Sequence, residues 1–316
     1  MHLLHSLGAA LDPPTPEPPA RLRHRALRAA AAGTAVAAPA RSPWKRRFAL
    51  AGGLAAAVTA GLLAVQVVDF GQRPAASASA SEVLHGAAAE ARSHPDVTVR
   101  EDQFVYVESL SSGVAIGPGG AKLETQHRSV WMSVDGTRDG LIRNGDAGTA
   151  VPGCRDGQQT QSKGGKSETT ACRPLRAYLR DLPTATDAMR KYLYEHAAGG
   201  NPEDQQAFTT AADLIREAYL SPAALAAVFD AVAKIPGVDV VGDVTDQAGR
   251  HGVAVALDEV QGMRTELIFD KESHAFLGVR SVMYRDSPGD GLHKGDVFSS
   301  SAVLKVAIVD QVGQEP

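Results

Sequence analysis

The sequence predicts an α+β fold, with one transmembrane helix followed by an antiparallel β-sheet covered by short helices. Three observations carry this. An apolar run, Phe48 to Phe70, follows directly on a cluster of Arg and Lys. Further along, β-branched and aromatic stretches alternate with Gly, Pro and Asp turn signals. Between two such blocks lie three amphipathic segments with helix start and stop residues. Strands, then helices, then strands is the order of a twisted antiparallel sheet covered on one side, of which an open half-barrel is one form.

The first 47 residues are basic and proline-rich, with DPPTPEPP at Asp12 to Pro19. They hold too few large apolar side chains to bury a core, so a cytoplasmic tail is expected. Its arginines either sit near anionic headgroups or form a docking peptide for a partner. From Ala49 to Val68 only Thr59 and Gln66 interrupt the apolar character, and about 20 such residues at about 1.5 Å each cross the hydrocarbon core. Arg41, Lys45, Arg46 and Arg47 precede the run, which predicts a cytoplasmic N-terminus and an exported C-terminus at the cell membrane. Up to Arg47 there are eight basic residues against two acidic; from Gly71 to Pro316 there are 24 against 33. The rival reading is a signal peptide cleaved near Ala78-Ser79-Ala80, but the apolar run exceeds the usual h-region of about 7 to 15 residues.

Residues 71–81 (GQRPAASASAS) read as a flexible small-residue linker, and 82–316 as the extracytoplasmic domain. A helix is expected from Ser81 to about Arg92, capped by Ser81 or Ser79 and stopped by His94-Pro95. Strands follow at Asp102 to Leu110 and Ala121 to Asp135, with Asp135-Gly136 turning the chain into a further strand through Arg143. The stretch around Cys154 and Cys172 is rich in Gly, Gln, Ser and Lys and reads as a loop. An oxidising compartment allows those cysteines to pair; the alternative, a metal pair, lacks a neighbouring His or third Cys.

Helices are expected at Ala185 to Ala197, Glu203 to Tyr219 and Pro222 to Ile235, the last with Ser221 as N-cap and Pro222 at its first position. Strands at Val238 to Val244, Gly252 to Leu257, Met263 to Asp270, Phe276 to Tyr284 and Ser301 to Val309 then form a meander. Alternation places Val105, Val107, Val130, Met132, Leu267 and Phe269 on inward faces. They are either packed core or the wall of an apolar pocket.

Around Tyr178 to Val279 the segments AYLRDLPTATDAMRKYLYEH, GGNPEDQQAFTTAADLIREAYLSPAALAAVFDAVAKIPGV and RTELIFDKESHAFLGVRSV resemble a large uncharacterised actinobacterial family of single-pass membrane proteins. Members are often encoded beside extracytoplasmic-function sigma factors. The resemblance implies a protein partner in a sigma factor pathway and assigns no catalytic residue. The element order is also similar to the half-barrel of lipoprotein carriers and sigma regulators, which implies a lipid or lipoprotein ligand as the alternative.

Catalytic patterns are missing. No G-x-S-x-G elbow, H-E-x-x-H pair, Walker lysine or dinucleotide glycine fingerprint occurs, so neither enzyme nor cofactor is expected. Asp243, Asp246, Asp258 and Glu259 fail calcium-loop spacing, and no metal site is expected. The acidic exported part disfavours nucleic acid and leaves membrane lipid as the partner of the basic tail.

Overall fold

The computed structural model describes residues 76–117, 120–163, 166–197, 201–258, 262–287, 289 and 291–316. The chain divides between Phe70 and Gly71, and every described residue lies in the unit Gly71–Pro316. The tail, the apolar run Phe48 to Phe70 and the basic Arg41, Lys45, Arg46 and Arg47 lie outside the described residues. Among the described residues no helix is long and apolar enough to cross a membrane.

Helix α1 (Ala78–Ser93) begins inside the stretch expected to be linker. Ser77 caps it, its hydroxyl accepting the Ala80 amide at 3.1 Å, and the alanines that follow are the best helix formers. Its buried stripe, Ala80, Leu84, Ala87, Ala88 and Ala91, has helical spacing and small side chains. After the strand block come α2 (Thr186–Glu195), α3 (Glu203–Glu217) and α4 (Pro222–Val232). The Ser221 hydroxyl accepts the Ala224 amide and Pro222 opens the first turn, as the sequence leads one to expect. Helix α4 is buried on nearly every side, including Val228, Phe229 and Val232, which marks it as the centre of the helical layer. Asp230 on α4 receives His85 Nδ1 at 2.9 Å and Arg92 Nη2, both from α1.

The strands are β1 (Phe104–Gly117), β2 (Gly120–Ser133), β3 (Gly140–Asn144), β4 (Ala147–Val151), β5 (Gln158–Lys163), β6 (Lys166–Ala171), β7 (Asp239–Thr245), β8 (His251–Asp258), β9 (Met263–Asp270), β10 (Phe276–Met283) and β11 (Val297–Val309). Nine of them form one antiparallel sheet in the order β4-β3-β2-β1-β11-β10-β9-β8-β7. The fold is therefore α+β, with one large antiparallel sheet and, among the described residues, four helices. Two features depart from expectation. Strand β4 was not foreseen, because Ala147–Val151 carries only small residues and is exposed along most of its length. The stretch between the cysteines is a hairpin, β5 with β6, not a loop. Its strands are polar on both sides, with Thr160 opposite Thr169, so hydrophobic alternation could not reveal it. Cys154 and Cys172 are joined by a disulfide across the base of that hairpin.

The helices cover one face of the sheet over β8, β9 and β10, where Val255, Leu257, Leu267, Phe269 and Val279 join α1, α2, α3 and α4 in the main core. Phe229 meets Phe269 edge to face at 5.3 Å, and Phe276 lies 5.9 Å from Phe269. A smaller apolar cluster, Phe104, Tyr106, Trp131 and Val309, occupies the opposite face. The C-terminal tail folds over it: Trp131 Nε1 donates to the Gln314 carbonyl at 2.6 Å, and Arg143 stacks on the indole at 4.9 Å.

Candidate functional site: a polar row across the sheet

Cross-strand partners share a face, so the register gives each apolar position a side. Val105, Val107, Val130, Met132, Leu267 and Phe269 all lie on the helix-covered face. Leu267 and Phe269 are fully buried in the core under the helices. Val105, Val107 and Val130 are buried, and Met132 is half-buried.

The other face carries charge. In β9, Arg264 and Glu266 alternate with Thr265 and Leu267, so both project away from the helices. A bulge between Phe276 and Gly278 then moves the register of β10 by one residue. Without it, Val279 would stand opposite Glu266; with it, Arg280 does. Glu266 Oε2 accepts Arg280 Nε at 2.6 Å, and Oε1 accepts Arg264 Nε and Nη2 at 3.0 and 2.7 Å. The carboxylate is 0% exposed, while Arg280 and Arg264 keep 18% and 25% exposure. Three charge-assisted hydrogen bonds orient both guanidinium groups, and the cluster carries one net positive charge.

The same level of the sheet continues in hydroxyl groups. Arg280 pairs with Ser300 on β11, Ser300 with Ser112 on β1, and Ser112 with Thr125 on β2. Glu266, Arg280, Ser300, Ser112 and Thr125 thus form one row across five strands. Gln247, from the β7–β8 turn, accepts from the Ser112 hydroxyl at 3.3 Å and donates to Thr125 Oγ1 at 3.0 Å. In a flat sheet β8 and β2 would lie about 24 Å apart at about 4.8 Å per strand, so the sheet curls over this face to bring the turn across. Asp246 and Arg250 secure the turn: Asp246 Oδ2 accepts Arg250 Nε at 2.7 Å, and Arg250 Nη2 donates to the carbonyls of Leu277 and Val303 at 3.0 and 2.9 Å.

A second polar place lies between α2 and α3, a depression of about 460 Å³ lined by Asp187, Arg190, Lys191, Tyr194, Glu195 and Glu203. Five of these repeat at the spacing of one exposed helix face. Two of its carboxylates are paired: Lys234, outside the lining, bonds Asp187 at 2.7 Å and holds its carboxyl below the usual range, and Lys191 lies 3.6 Å from Glu195. Burial, reinforced by the hydrogen bond at 2.6 Å to Asp204, pushes the Tyr194 hydroxyl up to about 12. This is a solvated helix face, and the row on the sheet is the better candidate. Sequence reasoning missed the row because Arg264, Glu266 and Arg280 look like an ordinary solvent-facing alternation. The bulge that aligns them has only Gly278 as a local sign.

No protein family matches the chain, and no curated protein matches it. Among solved structures it is similar to MucB, at 12% identity over 76% of this chain and a TM-score of 0.24. The MucA/MucB complex of Pseudomonas aeruginosa gives 15% identity over 76% of this chain, again at 0.24. A LolA superfamily protein from Nitrosomonas europaea gives 9% over 75% of this chain and 94% of its own, at 0.22. The chain spans 61% and 59% of the chains matched in the first two structures. At these TM-scores the likeness assigns no function.

Proposed function

We propose that the protein is a membrane-anchored extracytoplasmic sensing or regulatory module that works by binding, not by catalysis, within a sigma factor pathway. Phe48 to Phe70 is the anchor, Met1 to Arg47 the cytoplasmic tail, and the domain described above the exported part. One observation carries the choice of a sensor over an acyl-chain carrier. Where the helices cover the sheet, Leu267 and Phe269 are fully buried in one cluster with Phe229 of α4 and with Phe276, both rings meeting Phe269, which supports packed core over a pocket there. The polar chemistry lies instead on the opposite face, suited to a hydrophilic ligand or a protein surface.

Two measurements on the full chain test this. Reporter fusions should place the N-terminus in the cytoplasm and the C-terminus outside; the reverse orientation removes the basis of the proposal. Native mass spectrometry of the chain released from detergent should give the bare protein mass. A stoichiometric acyl ligand that survives release would make the protein a carrier.

A further inference from the structure

We infer that the Arg280–Ser300 end of the polar row is a binding site for an oxyanion, a carboxylate or a phosphate group. The inference rests on the reading of this domain as a binding module and names the chemistry its sheet face would take.

Glu266 fixes the orientation of Arg280 through Nε alone. Among the described residues no protein acceptor meets the terminal nitrogens of Arg280, and the side chain keeps 18% exposure. Its cross-strand neighbour Ser300 is buried, 7% exposed, with a hydroxyl that likewise has no partner among the described residues. The two donors are adjacent on one face, about 5 Å apart at the backbone. A guanidinium held by a buried carboxylate loses little freedom on binding, and its planar fork matches two oxygens of one ligand group. The sign of the field agrees, because Arg264 and Arg280 outnumber Glu266. Ser112 and Gln247, next in the row, are already bonded to each other, so they bound the site on one side without competing for the ligand.

A purely structural cluster would also neutralise a buried carboxylate with arginine. It would not require the donors of Arg280 and Ser300 to stay uncommitted side by side. The two readings separate in a titration of the full chain in detergent, with selectively ¹⁵N-labelled arginine. Inorganic phosphate and acetate serve as probes, against sodium chloride at matched ionic strength. A saturable shift of the Arg280 signal below about 50 mM, given by phosphate, acetate or both and not by chloride, supports the site and identifies the oxyanion. Ser300→Ala leaves the Glu266 cluster intact and should weaken that response about three- to tenfold with an unchanged thermal midpoint in the absence of probe. Arg280→Lys keeps the charge, removes the fork and should weaken it further. No saturable shift, an equal shift with chloride, or a response indifferent to Ser300→Ala overturns the site. None of these outcomes bears on membrane orientation, so the functional proposal is judged separately.

Discussion

Glu266 has no exposure to solvent and three hydrogen bonds from arginine, so its charge is indispensable to the groups around it. Replacing it by Gln leaves Arg264 and Arg280 facing each other without a counter-charge. Glu266→Gln should lower stability by about 3 kcal/mol in urea denaturation, a much larger effect than the same change at exposed Glu101. Tyr194 gives a pH dependence with a definite sign. An unfolded tyrosine ionises near about 10, and the folded one near about 12. The unfolded chain therefore releases its proton first, and this stabilisation is complete below the unfolded value and fades as pH rises through the folded one. Ultraviolet absorbance titration should show a late-ionising tyrosine that Tyr194→Phe removes. What the residues themselves disclose has a clear limit here. The inward faces of Val105, Val130 and Leu267 follow from alternation alone, whereas the meeting of Glu266 with Arg280 depends on a one-residue bulge that no periodicity encodes.

At the level of elements, α4 was legible because Ser221-Pro222 supplies a cap and a first-turn proline, and α2 and α3 from their apolar spacing, although neither carries a side-chain cap. The long strands of the meander were legible from alternation with turn residues between them. Strand β4 and the β5–β6 hairpin were not, since neither has an apolar side to display. That hairpin also depends on its covalent base. A two-stranded ribbon is marginal alone, and the disulfide closes a separation of 18 residues, worth about 3 kcal/mol by chain entropy. Reduction should accelerate amide exchange across Gln158–Lys163 and Lys166–Ala171 while β8, β9 and β10 keep their protection. Equal loss in both regions would mean that the hairpin folds with the core. The cap of α4 is testable too: Ser221→Ala should cost about 1 kcal/mol in the same denaturation assay.

Across the whole domain, the two faces of one sheet do different work. The helix side supplies apolar burial, and the other side is divided between the polar row and the cluster sealed by the C-terminal tail. Trp131 is 0% exposed beneath that tail, which Lys305 also holds through the Pro316 carbonyl at 3.3 Å. Deleting Gln311 to Pro316 in a Trp44→Phe background should shift the Trp131 emission to the red, with the helical far-ultraviolet signal retained. An unshifted spectrum would show that the indole is sealed by the strands alone.

Helix α1 has a mechanical meaning. Among the described residues the chain enters the domain at this helix, where Ala76 packs on the core and the Ser77 amide donates to the Val238 carbonyl at 2.9 Å. Pulled along its axis, α1 resists with its whole alanine stripe and the Asp230 clasp in parallel. Pulled outward from Ser77, it yields one contact at a time. The same tether is therefore stiff to sliding and compliant to peeling.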